Sequence, residues 1–161
     1  MWQNLIETLN KLSEVYDNLA TLGEKKRVAL VDIDMKGLSN LLDAEQLLAA
    51  KIQKLEQERV EILKTLSKSN KTLNDMTSAK DFYRKAPSLA IEKKLLQLHK
   101  QLSKNVERAL ELRNDNQFLA QCALDAVQGQ LNMLGGAAVE PTYSGKGADV
   151  VTHQKKFDFK A

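Results

Sequence analysis

Residues 91–134 read "IEKKLLQLHKQLSKNVERALELRNDNQFLAQCALDAVQGQLNML". Stepping by alternating four and three residues passes through Ile91, Leu95, Leu98, Leu102, Asn105, Ala109, Leu112, Asn116, Leu119, Ala123, Ala126, Gln130 and Met133. A repeat of about 3.5 residues keeps one stripe turned toward a partner helix along its whole length, the mark of coiled-coil packing. No proline falls within the run, and its only glycine is Gly129. The spacing predicts a single helix over 88–134, about 70 Å long at about 1.5 Å per residue. Pro87 suits its first turn, where a missing N–H costs nothing, and Gly135 suits a left-handed C-cap.

Two shorter seams precede it. The first passes through Trp2, Leu5, Leu9, Leu12, Tyr16, Leu19, Gly23, Lys26, Leu30 and Ile33, with only Gly23 and Lys26 breaking it. Gly23 weakens that helix locally, since glycine costs about 1 kcal/mol relative to alanine. "VDIDMKG" interrupts the pattern, and Asp34 can cap a new helix by accepting from its first free amides. The second seam runs Leu38, Leu41, Glu45, Leu48, Ile52, Leu55, Arg59, Ile62 and Leu66. Its polar members Glu45 and Arg59 suit register setting or an edge position with the charge in solvent. These seams predict helices over 2–33 and 35–66, each about 48 Å long. The polar connection 67–87 includes one short helical turn around Lys80 to Tyr83.

Three seams and two connections specify an all-α fold: an elongated antiparallel three-helix coiled-coil bundle with a long third helix and a flexible C-terminal tail. Composition agrees, since aromatics are 5% of the 161 residues and prolines number two. The expected division is a bundle over 1–134 and a tail over 135–161. If the third helix starts level with the end of the second, its last fifteen or so residues project beyond the others.

That final stretch is not polar. Phe118, Leu119, Cys122 and Ala123, then Ala126, Val127, Leu131, Met133 and Leu134, give it a broad apolar surface. An exposed apolar patch of this kind marks a protein-binding surface. The competing expectations are that the connection shifts the helix so that nothing protrudes, or that the chain self-associates there as a structural coiled coil with no client. Beyond it, "AAVEPTYSGKGADVVTHQKKFDFKA" has no helical period and nearly balanced charge, so it reads as flexible. Tyr143 is an isolated aromatic able to anchor a flexible peptide in a partner's pocket. Phe157 and Phe159 alternate with charges and suit either addition to a sheet edge or a frayed terminus.

No catalytic constellation is legible, and the chain reads as a non-enzyme. There is no glycine-rich loop between a strand and a helix. His99 and His153 read as surface residues without partners at metal-ligand spacing, and Cys122 as a small buried hydrophobe, so no metal site is expected. The charge of +3, from 24 basic and 21 acidic residues, is interspersed as on solvated helix faces and argues against a nucleic-acid partner. Lys68, Lys71, Lys80, Arg84 and Lys85 make a basic connection. The start "MWQNLIETLNK" lacks a basic n-region followed by an apolar stretch, and no run approaches the ~20 apolar residues of a membrane span. A cytoplasmic protein without membrane insertion is the expectation.

Several stretches in order also carry a family resemblance: "VDIDMKGL" at 31–38, "LEQERVEIL" at 55–63, "LRNDNQFLAQ" at 112–121, "LNMLGG" at 131–136 and "PTYSGKG" at 141–147. The chain resembles the FlgN family of flagellar type III export chaperones. That resemblance implies partners of two kinds. One is the hook-filament junction (hook-associated) proteins, bound by their C-terminal segments in the cytosol; the other is the cytosolic domain of the flagellar export gate. It implies a client site at the apolar end of the third helix, on Phe118, Leu119, Cys122, Ala123, Val127, Leu131 and Leu134, and a gate contact at Tyr143. No cofactor is implied, so release comes from competition at the gate. The "VVTHQKKFDFKA" ending departs from the family's usual tail.

Overall fold

The computed structural model describes residues 1–71 and 76–139, with side chains through Gly135. Its elements are α1 (Trp2–Val31), α2 (Met35–Ser69), α3 (Ala79–Tyr83) and α4 (Leu89–Val139), and no strand occurs among the described residues. The all-α bundle is thus the observed fold. The chain divides into two units, Met1–Gln117 and Phe118–Ala161. The first contains α1, α2, α3 and the start of α4.

In that unit α2 runs antiparallel to α1. Leu5 and Leu9 near the start of α1 cluster with Leu66 near the end of α2, while Lys26 pairs with Glu45 at 2.6 Å toward the other end. The early part of α4 runs in the same direction as α1. Ser13 meets Asn105, and ten residues on, Gly23 meets Asn116. Because α1 packs against both neighbours, it buries a wider arc than a two-helix seam. Leu5, Leu9 and Leu12 are joined in the interior by Ile6, Thr8, Ser13 and Val15. Each fully buried leucine contributes roughly 1.5–3 kcal/mol of apolar burial. By contrast, α2 buries only Leu55 and Leu66, and its remaining seam residues are half-buried.

The turn between α1 and α2 ends the first seam earlier than the expected residue 33. Asp34 N–H reaches back to Ala29 O at 2.9 Å and Ile33 N–H to Leu30 O at 3.4 Å, a Schellman closure. Ile33 occupies the left-handed position with φ 55° and is 73% exposed, so it has left the seam. Asp34 then caps α2 as expected, its carboxylate accepting from Gly37 N–H at 2.9 Å. A Cβ at Gly37 would collide with that carboxylate, so glycine keeps the cap in place.

The connection holds more core than its polar composition suggests. Ser78 caps α3 by accepting from Asp81 N–H at 3.2 Å. This single turn drives Phe82 and Tyr83 into the cluster of Leu5, Leu66 and Leu95. Phe82 meets Trp2, and Tyr83 meets His99, each pair with ring centroids 5.7 Å apart. His99, expected on the surface, is therefore half-buried against an aromatic neighbour. Pro87 lies just before α4 rather than in its first turn; Ser88 is the cap, accepting from Ile91 N–H at 3.3 Å.

The far end of α4 differs from the expected stop at residue 134. The helix passes through Gly135 and Gly136 to Val139, and no described glycine has a positive φ. Each glycine still offers both backbone groups to the helical ladder, so a pair costs a few kcal/mol at most and does not end the helix by itself. Tyr143, His153, Phe157 and Phe159 lie outside the described residues. Among the described residues no helix is long and apolar enough to cross a membrane.

Candidate functional site

The described part of the second unit is the end of α4, residues 118–139. Its large apolar side chains are exposed: Phe118 69%, Leu124 49%, Val127 53%, Leu131 55%, Met133 78% and Leu134 70%. Helical geometry separates them into faces. Leu124, Val127, Leu131 and Leu134 follow one another at steps of three, four and three, so they line one side of the helix. Ala123, four residues before Val127, belongs to the same side.

Phe118 does not. Nine residues separate it from Val127, about two and a half turns, which places it on the opposite side. Cys122 and Met133 also fall away from the Val127 face. Leu119 is half-buried and flanks that face. The seven residues expected to grip a client therefore divide, with Ala123, Val127, Leu131 and Leu134 forming a continuous strip and Phe118 and Cys122 outside it. Leu124 completes the strip; it is missing from the residues expected there, a broad apolar surface that does not separate the sides of the helix.

Cys122 also corrects its expected burial. It is exposed, since its side of α4 has no packed neighbour among the described residues. Gln121 donates to Asp125 at 3.0 Å, an i,i+4 pair that marks a polar side of the same stretch. The arrangement is an amphipathic helix with one large uncovered apolar strip, which is what a partner helix packs against.

The two units differ in polar chemistry. In the first, the seam residue Asn105 is engaged across helices, donating to Ser13 O at 2.8 Å and Ser13 Oγ at 3.0 Å. Arg108 bridges Asp17 at 3.4 Å and Glu24 at 2.5 Å. These contacts fix the register of α4 against α1. Tyr83 carries a hydroxyl whose pKa is raised, first by burial and against the opposing effect of Arg59. Among the described residues no group of three His, Cys, Asp or Glu side chains is placed to hold a metal.

Compared with known protein families, the chain matches the FlgN protein family over residues 1–150. Neither the curated proteins nor the solved structures contain a match to the chain.

Proposed function

The chain belongs to the FlgN family of flagellar export chaperones, which bind hook-associated export substrates, and we propose that it grips those substrates on the exposed strip of α4. The observation that carries this reading is the strip itself: Leu124, Val127, Leu131 and Leu134, all about half or more exposed on one side of a helix. The client is the C-terminal segment of a hook-filament junction protein, met in the cytosol. Disordered when free, it folds as an amphipathic helix against the strip and so cannot assemble prematurely through the same surface. Coupled folding consumes about 2–5 kcal/mol of the contact energy, which keeps the complex reversible. Delivery goes to the cytosolic domain of the export gate, with Tyr143 on the segment beyond the helix as the docking residue.

Co-purification from native cytosol tests this reading. The tagged full chain recovers one or two junction proteins, Leu131→Asp loses them, and Tyr143→Ala keeps them while losing the export gate. Retention of the junction proteins by Leu131→Asp contradicts the placement of the grip. Recovery of the chain alone, in a concentration-dependent oligomer that Leu131→Asp dissolves, assigns the strip to self-association.

A further inference from the structure

Charge is unevenly placed along the first unit. Residues 64–94 carry eight basic and three acidic side chains, a net +5 in a chain whose total is +3. Folding gathers them at one end of the bundle, where Leu66 of α2, Phe82 and Tyr83 of α3 and Leu95 of α4 share a cluster with Leu5 of α1. Lys64, Lys68 and Lys71 come from the end of α2 and the residues just after it, and Lys93 and Lys94 from the first turns of α4. On both helices they lie within about 8 Å of the helix end, at about 1.5 Å per residue. Lys80 in α3, with Arg84 and Lys85 after it, completes the group, and all eight side chains are exposed. Arg84 pairs with Asp81 at 3.2 Å, whereas the seven lysines form no ion pair among the described residues.

The same end exposes apolar side chains. Met76, between α2 and α3, is 93% exposed, and Leu89, the first residue of α4, is 63% exposed. Phe82 and Tyr83 are turned the other way, into the core. Further along the bundle the sign of the charge changes. Glu7, Glu58 and Glu61 line one shallow depression, accompanied there by a single lysine, Lys11. Glu61 lies eight residues before Ser69, the end of α2, or about 12 Å from it. The bundle therefore has a basic, partly apolar end and an acidic band behind it.

We propose that this end of the bundle docks on an anionic lipid membrane, lying on its surface without crossing it. Lysines held within a Debye length of such a surface, about 8 Å at physiological salt, each add to the attraction. Their stems lie along the boundary between headgroups and acyl chains with the ammonium groups at the phosphates, and Met76 and Leu89 enter that boundary. Other anionic partners use less of what is there. A nucleic acid takes up the lysines but leaves Met76 and Leu89 in water, and the aromatic rings on which single-stranded bases would stack are buried. An acidic protein segment is best held by the forked donors of arginine, and the one arginine of the group is already engaged by Asp81. The acidic band sets the orientation. A bundle laid lengthwise would press Glu58 and Glu61 toward the anionic surface, whereas end-on docking keeps them beyond a Debye length. No described helix is long and apolar enough to cross the membrane. The docking surface rests on the first unit alone and is independent of the client strip on residues 124–134.

Co-sedimentation of the full chain with vesicles tests this, comparing pure phosphatidylcholine with an equimolar mixture of phosphatidylcholine and phosphatidylglycerol at about 0.15 M salt. The chain binds the mixed vesicles, more weakly as salt is raised, and leaves the neutral ones unbound. Lys80→Gln with Lys85→Gln weakens binding about 25-fold, at about fivefold for each charge. Met76→Ser weakens it about fivefold by removing an inserted side chain. Lys51→Gln with Lys54→Gln removes the same charge from the middle of α2, about 22 Å or more from its end, and changes affinity less than about twofold. All these side chains are exposed, so each variant keeps the melting temperature of the parent. Leu131→Asp leaves vesicle binding unchanged, which separates this surface from the client strip. Absence of binding to the mixed vesicles overturns the proposal, as do equal losses from the two lysine pairs or indifference to Met76→Ser. Displacement of the chain from the vesicles by polyglutamate or a DNA oligonucleotide at equal charge concentration also overturns it and assigns the basic end to an acidic polymer.

Discussion

Ile33 carries the one positive φ among the described non-glycine residues, and it does so at the position where a Schellman turn ordinarily has glycine. A β-branched residue there bears about 1–2 kcal/mol of left-handed strain, and its exposure means little packing repays it. Ile33→Gly therefore stabilises the protein by about 1 kcal/mol after the extra entropy glycine loses, read as a higher urea midpoint at unchanged slope. Tyr83 gives a pH dependence. Its hydroxyl lies 3.4 Å from His99 Nδ1, and burial raises its pKa above the ordinary 10.0. For an acid with a raised folded value, the unfolded chain releases its proton first. The contribution is therefore complete below pH 10.0 and lost as pH rises through the folded value. The melting temperature should fall above that pH, and Tyr83→Phe should make the fall shallower. Neither feature was legible in the sequence. "VDIDMKG" announced a break and Asp34 as a cap, but a seam count carried the helix on to Ile33. Tyr83 stood in a segment whose serines, lysines and asparagines outweighed two aromatic residues.

At the scale of elements, the heptad seams located α1, α2 and α4 because a helix that packs along its length must repeat its apolar positions. What the seams could not reveal is which polar interruptions meet. Lys26 breaks the first seam and Glu45 the second; across the antiparallel pair they form one ion pair, 16% and 30% exposed. Asn105 and Asn116 break the third and find Ser13 and Gly23, more than ninety residues away. Such pairings depend on the stagger of whole helices, which no local pattern encodes. Gly23 illustrates the same limit: it reads as a weak point, yet it stands where Leu112 approaches so closely that an added Cβ would lie 3.2 Å from Leu112 Cβ. Gly129 is the opposite case, since a Cβ there meets nothing within 4 Å. Gly129→Ala should gain the helix propensity without a clash, about 1 kcal/mol. Hydrogen exchange of the amides around residue 129 should slow about fivefold in response. An unchanged rate would mean that this stretch opens by a route not limited by helix propensity.

For the whole molecule, the buried core and the uncovered apolar strip lie in different units. The first unit spends its apolar residues on two clusters, one around Leu5, Leu66, Phe82 and Leu95 and one around Leu12, Val15 and Leu55. The second leaves Leu124, Val127, Leu131 and Leu134 uncovered. That the end of α4 is apolar was legible from composition; which of its residues share one side required following the helix's period, which sets Phe118 and Cys122 apart and adds Leu124. The central claim is that client segments cover this strip. Hydrogen exchange of the full chain, with and without the C-terminal segment of a hook-filament junction protein, tests it most directly. The account predicts slowed exchange over residues 120–135 that Leu131→Asp abolishes, with the bundle's own protection unchanged. Protection confined to the first unit, or a client complex that forms equally well with Leu131→Asp, would contradict it.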